Sequence, residues 1–184
     1  MGKYQCVLAD PAWSYGDKSM HRGGAERHYS TEATNRIAAM RVADICADDC
    51  FLFLWVTNPF ICRGAHTYVA ERWGFQLKTI GFIWAKTAGN GNYSTGMGHY
   101  TRANPECCFL GVRGKPKVAH RDVSSLIVAP RMQHSAKPPE VRDRIVRLCG
   151  DVPRIELFAR EQVDGWDCWG DEVKSEISIN GLRA

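Results

Sequence analysis

Four consecutive residues, Asp10-Pro11-Ala12-Trp13, follow directly on the apolar run Cys6-Val7-Leu8-Ala9. Pro11 fixes its own φ at about −65° and has no N–H to donate. An ionised Asp10 accepts hydrogen bonds only. A rigid turn that offers a carboxylate and a main-chain carbonyl, and withholds one N–H, suits a ligand presenting two N–H donors. The exocyclic –NH2 of a nucleic-acid base is such a group, and the Trp13 indole can stack on the ring that carries it. Two acceptors on that amine turn its lone pair towards an electrophile as the nitrogen pyramidalises. The chemistry so described is methylation of an adenine amine, with the base taken out of its stack. Alone the tetrapeptide is a weak signal, because Asp-Pro turns are common and a Trp after a strand is more often core.

Other chemistries lose ground by their motifs. The chain has no GxxxxGK[ST], no GxGxxG behind a strand, no GxSxG and no HExxH. Its eight cysteines show no CxxC pair and no Cys/His spacing that suits zinc, so no metal ligands are assigned. Cys46, Cys50, Cys62 and Cys149 lie in or beside apolar segments, the pattern of a reduced, cytoplasmic chain. A net charge of +4 is modest, but its placement is uneven. Lys115, Lys117 and Arg121 fall in one loop-like stretch with Asp122 the lone acid, and Lys18, Arg22 and Arg27 in another. Loop cations are the footprint of phosphate contact.

The elements that must position Asp10 read as alternating strands and helices. "CFLFLWVTNP", 50–59, is a continuous apolar run, the mark of a strand covered on both faces. Asn58-Pro59 then supplies an N-cap and a first-turn proline for a helix ending near Trp73, with Gly74 as its stop. "TEATNRIAAM" has helical character, and "LKTIGFIWAK", "ECCFLGVRG", "VSSLIVAP" and "RIELFAR" read as further strands. Lys137-Pro138-Pro139-Glu140 opens a helix that Gly150 closes. Residues 87–105, with four glycines, form a long segment of the functional kind. Trp55, Trp73 and Trp84 are expected in the core, whereas Trp166 and Trp169 suit either packing or a cleft.

Buried strands separated by helices predict an α/β fold with a doubly wound, mostly parallel sheet. Ligands of such sheets sit beyond the carboxyl ends of the strands. Asp10, Asn58, Lys86 and Arg160 all fall at such ends. Residues 1–173 are expected to form one domain and 174–184 a polar C-terminal tail, and no run is long enough to span a membrane.

In this setting the sequence resembles the MT-A70 family of N6-adenine methyltransferases, on its bacterial and phage DNA-modifying branch. The resemblance rests on Asp10-Pro11-Ala12-Trp13, on His28-Tyr29-Ser30-Thr31, on "FLFLWVTNP" and on "WGF…IWAKT". It continues through "GHYTRANPECCFLGVRG", "HSAKPPE", "IELFAR" and "GWDCWGDEV", all in the family's order. The resemblance implies a Rossmann-like methyltransferase sheet, S-adenosylmethionine as donor and DNA as substrate, with S-adenosylhomocysteine as product. It implies that Asp10 and the Pro11 carbonyl hold the amine with Trp13 against the base, and that Tyr29, Asn104 and Ala12 lie near the base or its loop. Asp10, Ser135, Lys137, Phe158, Arg160, Asp171 and Glu172 are the positions implied for the cofactor, the last two on the ribose hydroxyls. Ala12 stands where the family has a second proline, which loosens the turn and spares the Pro11 carbonyl. RNA as the substrate, an inactive nucleic-acid-binding partner subunit and a homodimer remain open at this point.

Overall fold

The computed structural model describes residues 2–13, 34–96, 98, 100–132, 136–175 and 177–179. Lys18, Arg22, Arg27, Tyr29 and Ser135 therefore lie outside the described residues. A seven-stranded sheet forms the centre: β1 (Tyr4–Ala9), β2 (Cys46–Val56), β3 (Gln76–Thr87), β4 (Glu106–Arg113), β5 (Leu126–Pro130), β6 (Arg154–Leu157) and β7 (Asp167–Trp169). Their spatial order is β5-β3-β4-β2-β1-β6-β7. Six strands run one way, and β4 runs against both its neighbours. The doubly wound α/β class expected from the sequence is the fold observed.

Helices cover both faces. On one face α1 (Thr34–Ala39), α2 (Asn58–Cys62) and α3 (Ala65–Arg72) bury Ile37, Phe60 and Val69 against Val7, Leu52 and Leu54. On the other, α4 (Glu140–Cys149) buries Val141 and Ile145 against Leu8, Phe53 and Trp55. The alternation of neighbours along β1 and β2 between these two clusters is the period-2 signature of a strand packed on both sides. Cys50 to Val56 are buried without interruption. Trp55, Trp73 and Trp84 sit in the core as expected, and Trp166 and Trp169 pack as well.

Several boundaries differ from the sequence reading. The helix after β2 breaks in two, because Gly64 takes φ 69° between α2 and α3. A left-handed residue cannot continue a helix, and glycine adopts it without a Cβ clash. Thr57, with an extended backbone, occupies the cap position expected for Asn58, which starts the helix. Within the polar tail, Ile179 is buried in the same core cluster as Ile37, Phe60 and Val69, and Ile177 packs against it. The domain's packing thus reaches the last residues described. β7 was not read as a strand at all. No helix among the described residues is long and apolar enough to cross a membrane.

Candidate active site

The strand directions decide which side chains meet. The carboxyl edge of the sheet receives Asp10 after β1, Asn58 after β2, Lys86 near the end of β3 and Phe158 after β6. Because β4 is reversed, it contributes its first residue, Glu106, to that same edge. Lys137 arrives there from the segment between β5 and α4.

These residues form one buried ionic cluster. Lys137 Nζ lies 2.5 Å from Asp10 Oδ2 and 3.4 Å from Glu106 Oε2. Glu106 also accepts from Lys86. All four side chains are four-fifths or more buried. Two ammonium groups balance two carboxylates, the condition for charges to survive out of water. Burial alone would lower the pKa of Lys137, yet the Asp10 and Glu106 carboxylates override it and hold the ammonium above the ordinary lysine range. Burial likewise pushes Glu106 up, and Lys137 and Lys86 together pull it below the ordinary carboxylate range. The Lys137 ammonium also lies 5.4 Å from the centre of the Trp55 ring, within cation–π range. Lys137 takes one acceptor site on Asp10, and an ionised carboxylate has about four. Capacity for an incoming amine remains.

Glu106 was the member the sequence reading did not single out. Its signal was present in "ECCFLGVRG", but only the reversal of β4 brings it beside Asp10. Next to the cluster, Glu156 of β6 is held by both nitrogens of an Arg142 fork at 2.7 and 3.2 Å. Burial nonetheless raises its carboxyl above the usual range, with the nearby Asp10 charge adding to the effect.

The structure gives three groups of the sequence-based candidates partners or positions within the fold itself. Trp13 is only 3% exposed, its ring centre 5.3 Å from that of Phe60. Its indole N–H donates to the Trp55 carbonyl at 2.9 Å. That bond ties the end of β1 to the end of β2, so Trp13 fixes the Asp10-Pro11 turn and does not offer an open stacking face. Asn104 spends its amide on the backbone: Oδ1 accepts from Lys86 N–H at 3.0 Å and Nδ2 donates to the Lys86 carbonyl at 2.8 Å and to that of Ser94. It anchors the 87–105 segment and has no donor free for a base. Lys115, Lys117 and Arg121 follow the carboxyl end of reversed β4, so they lie at the amino edge of the sheet. There the Lys115 N–H donates to Asp49 at the start of β2. A cleft of about 450 Å³ between the end of α4 and the start of β6, lined by His120, Arg147 and Trp166, lies away from Asp10 for the same reason.

The remaining positions stay at the carboxyl edge. Phe158 is the one non-glycine residue with a left-handed backbone among those described, at φ 62°. Such strain, about 1 kcal/mol or more, clusters at functional sites. Its ring meets Trp169 edge-on at 5.5 Å between centres. The ends of β6 and β7 are clasped where Gly170 passes Ala159, so closely that a Cβ would lie 2.3 Å from the Ala159 carbonyl oxygen. Asp171 and Glu172 follow, both exposed. Arg160 is half-buried, and its charge is felt at Lys137. Pro11 is buried and Ala12 half-buried in the turn itself.

Comparison with known proteins places this arrangement. A type II methyltransferase, M.MunI, from a Mycoplasma species is 35% identical, covering 97% of this chain and 83% of its own length. An Arabidopsis thaliana protein, N(6)-adenosine-methyltransferase MT-A70-like, is 31% identical over the whole of this chain but only 26% of its own length. The mouse N(6)-adenine-specific methyltransferase METTL4 is 29% identical, over 92% of this chain and 37% of its own. The chain thus spans most of the Mycoplasma protein and under two-fifths of the two eukaryotic ones. The MT-A70 family model matches residues 4–172, from the first residue of β1 to the exposed carboxylates after β7, and the chain belongs to the MT-A70 family.

Proposed function

We propose that the chain transfers a methyl group to N6 of adenine in DNA, with S-adenosylmethionine as donor. The observation that carries this reading is the Asp10-Pro11 turn, held at the carboxyl edge of the sheet by the Lys137–Glu106–Lys86 cluster. The relatives support it, since the eukaryotic ones are named for adenine or adenosine N6 methylation and the Mycoplasma one is a type II methyltransferase.

The side chains suit the donor. Asp171 and Glu172 are open carboxylates at the edge that holds Asp10, matched to a vicinal diol, and Phe158 offers an apolar ring beside them. When bound, S-adenosylmethionine supplies an electrophilic methyl group. This chain's residues then do the positioning. The Asp10 carboxylate and the Pro11 carbonyl accept the two N–H groups of the adenine amine and aim its lone pair. Pro11 withholds an N–H that would compete for those acceptors. Lys137 fixes Asp10 in the direction the amine requires, and the Trp13–Trp55 bond fixes the backbone on which Asp10 stands. Methyl transfer of this kind rests on orientation more than on a strong base.

The test is incubation of the protein with isotopically labelled S-adenosylmethionine and unmethylated genomic DNA, beside matched RNA, followed by nucleoside mass spectrometry. Label in N6-methyldeoxyadenosine is the expected result. Label in RNA alone moves the substrate and keeps the chemistry. No label in either, with cofactor binding demonstrated, removes the assignment as an enzyme.

A further inference from the structure

Two segments follow strands that end at the carboxyl edge, residues 88–105 after β3 and 131–139 after β5. Neither contains an aspartate or glutamate. Between them they carry Tyr93, Tyr100, Arg102, Arg131 and Met132, all exposed. Tyr93 exposes 70% of its surface and Tyr100 all of it. Exposed tyrosines and arginines on segments without acidic residues are the combination that grips an unpaired nucleic-acid strand, the rings stacking on bases and the guanidinium groups on phosphates.

The backbone beneath Tyr93 and Arg131 is held. Tyr93 forms a bridge with Thr87, and Ser94 N–H donates to the Lys86 carbonyl at 2.8 Å. Gly96 N–H donates to Ala103 at 2.9 Å, and Asn104 closes the segment onto Lys86. Arg131 N–H donates to the carbonyl of the same Thr87 at 2.9 Å. Tyr93 and Arg131 are thus tied to one residue of β3 from two sides. A ring presented on a fixed backbone loses little freedom on stacking.

We infer that Tyr93 and Tyr100 are stacking residues for the unpaired strand flanking the target adenine, with Arg102 and Arg131 on its phosphates. This rests on the reading of the chain as an adenine methyltransferase and names the surface that reads its substrate. β3 lies three strands from β1, so Tyr93 stands about 15 Å from Asp10 at ordinary strand spacing. That is roughly four nucleotides at the 3.4 Å stacked rise, and fewer when the strand is stretched. The contacts therefore fall on neighbours of the target and not on the target itself.

The experiment compares wild type with Tyr93→Ala, Tyr100→Ala, their phenylalanine counterparts, and the double variant Arg102→Ala/Arg131→Ala. Substrates are a long single-stranded deoxyoligonucleotide with one adenine and a short one with a single nucleotide on each side of it. On the long strand each alanine variant should raise KM about tenfold with kcat held, the loss of one stacked base. Phenylalanine variants should restore it. The arginine double variant should flatten the slope of log K against log[salt] by about 1.4. On the short substrate all variants should match wild type. Wild-type methylation with unchanged KM in the tyrosine variants, or an equal loss on both substrates, overturns the inference alone. Wild type that methylates no polynucleotide overturns the enzymatic reading and takes the inference with it.

Discussion

Replacing Lys137 by methionine removes one ammonium from the buried cluster while keeping most of the side-chain volume against Trp55. Asp10 and Glu106 are then left with Lys86 as their remaining partner in the cluster. At an effective dielectric of about 20, a unit pair at 2.5 Å is worth roughly 6 to 7 kcal/mol and one at 3.4 Å roughly 5. The ammonium's own desolvation, which the substitution also removes, offsets part of this. Breaking a buried pair by removing one partner costs about 3–5 kcal/mol. For a chain of this length that lowers the melting temperature by roughly 6 to 20 °C.

The pH dependence carries the sharper test. Glu106 is held below its ordinary value of about 4.5. Its stabilising contribution is therefore present above that value and is lost as pH falls through the depressed one. Lys137 is the mirror case: its contribution is present below its ordinary value of about 10.5 and is lost as pH rises through the raised one. Without Lys137, burial dominates at Glu106 and a carboxyl of the cluster takes up a proton more readily. The variant's deficit should be largest at about pH 8 and shrink towards pH 5. Thermal melting of wild type, Lys137→Met, Asp10→Asn and the double variant across that range reads both quantities. The double variant should be more stable than the sum of single losses implies, by about 1–3 kcal/mol. A deficit under about 2 °C at pH 8, a deficit independent of pH, or strict additivity would each refute the cluster as described.

Trp13→Phe keeps the ring but deletes the donor to the Trp55 carbonyl, so melting should fall by about 1–2 kcal/mol with kcat changed less than about threefold. A hundredfold loss of kcat at unchanged melting would return Trp13 to the base. Asp171→Ala with Glu172→Ala alters two exposed side chains, so stability should hold while the affinity for S-adenosylhomocysteine, read by calorimetry, drops about tenfold or more. Equal affinity would remove both from the donor site. Gly170→Ala drives a methyl into the Ala159 carbonyl and should unclasp β6 from β7, costing about 2 kcal/mol or more. Unchanged melting would show that this crossing gives way freely.

The strands and helices with strong periodicity were legible in the sequence, and so was the edge at which Asp10 would stand. What escaped has particular causes. A short apolar run such as "ECCFLGVRG" announces a strand but carries no information about its direction. The reversal of β4 was therefore invisible, and with it the position of Glu106 and of the basic loop that follows Arg113. β7 spans three residues, too few for a periodic signal. Ile177 and Ile179 lie among polar neighbours, and only the folded core gives Ile179 its buried place, with Ile177 packed against it. Trp13 presented a true ambiguity, since an indole after a strand serves packing and stacking equally well until its N–H finds a partner.

The reversed strand has a consequence beyond bringing Glu106 to the edge. Had β4 run parallel to β3, the segment between them would have had to cross the whole sheet, as parallel connections do. With β4 reversed, residues 88–105 leave and re-enter the sheet at the same edge. Both ends of that excursion are then fastened at one place: Lys86 pairs with Glu106 as ions, and Asn104 pairs with the Lys86 backbone. Glu106 is shared with Lys137, and Lys137 with Asp10. The carboxylate that orients the amine and the excursion that carries Tyr93 and Tyr100 thus rest on a single set of buried charges. Disturbing that set should loosen the grip on the flanking strand and misalign Asp10 together. In Lys137→Met, KM for a long strand and kcat should therefore worsen in the same variant, whereas the tyrosine variants move KM alone.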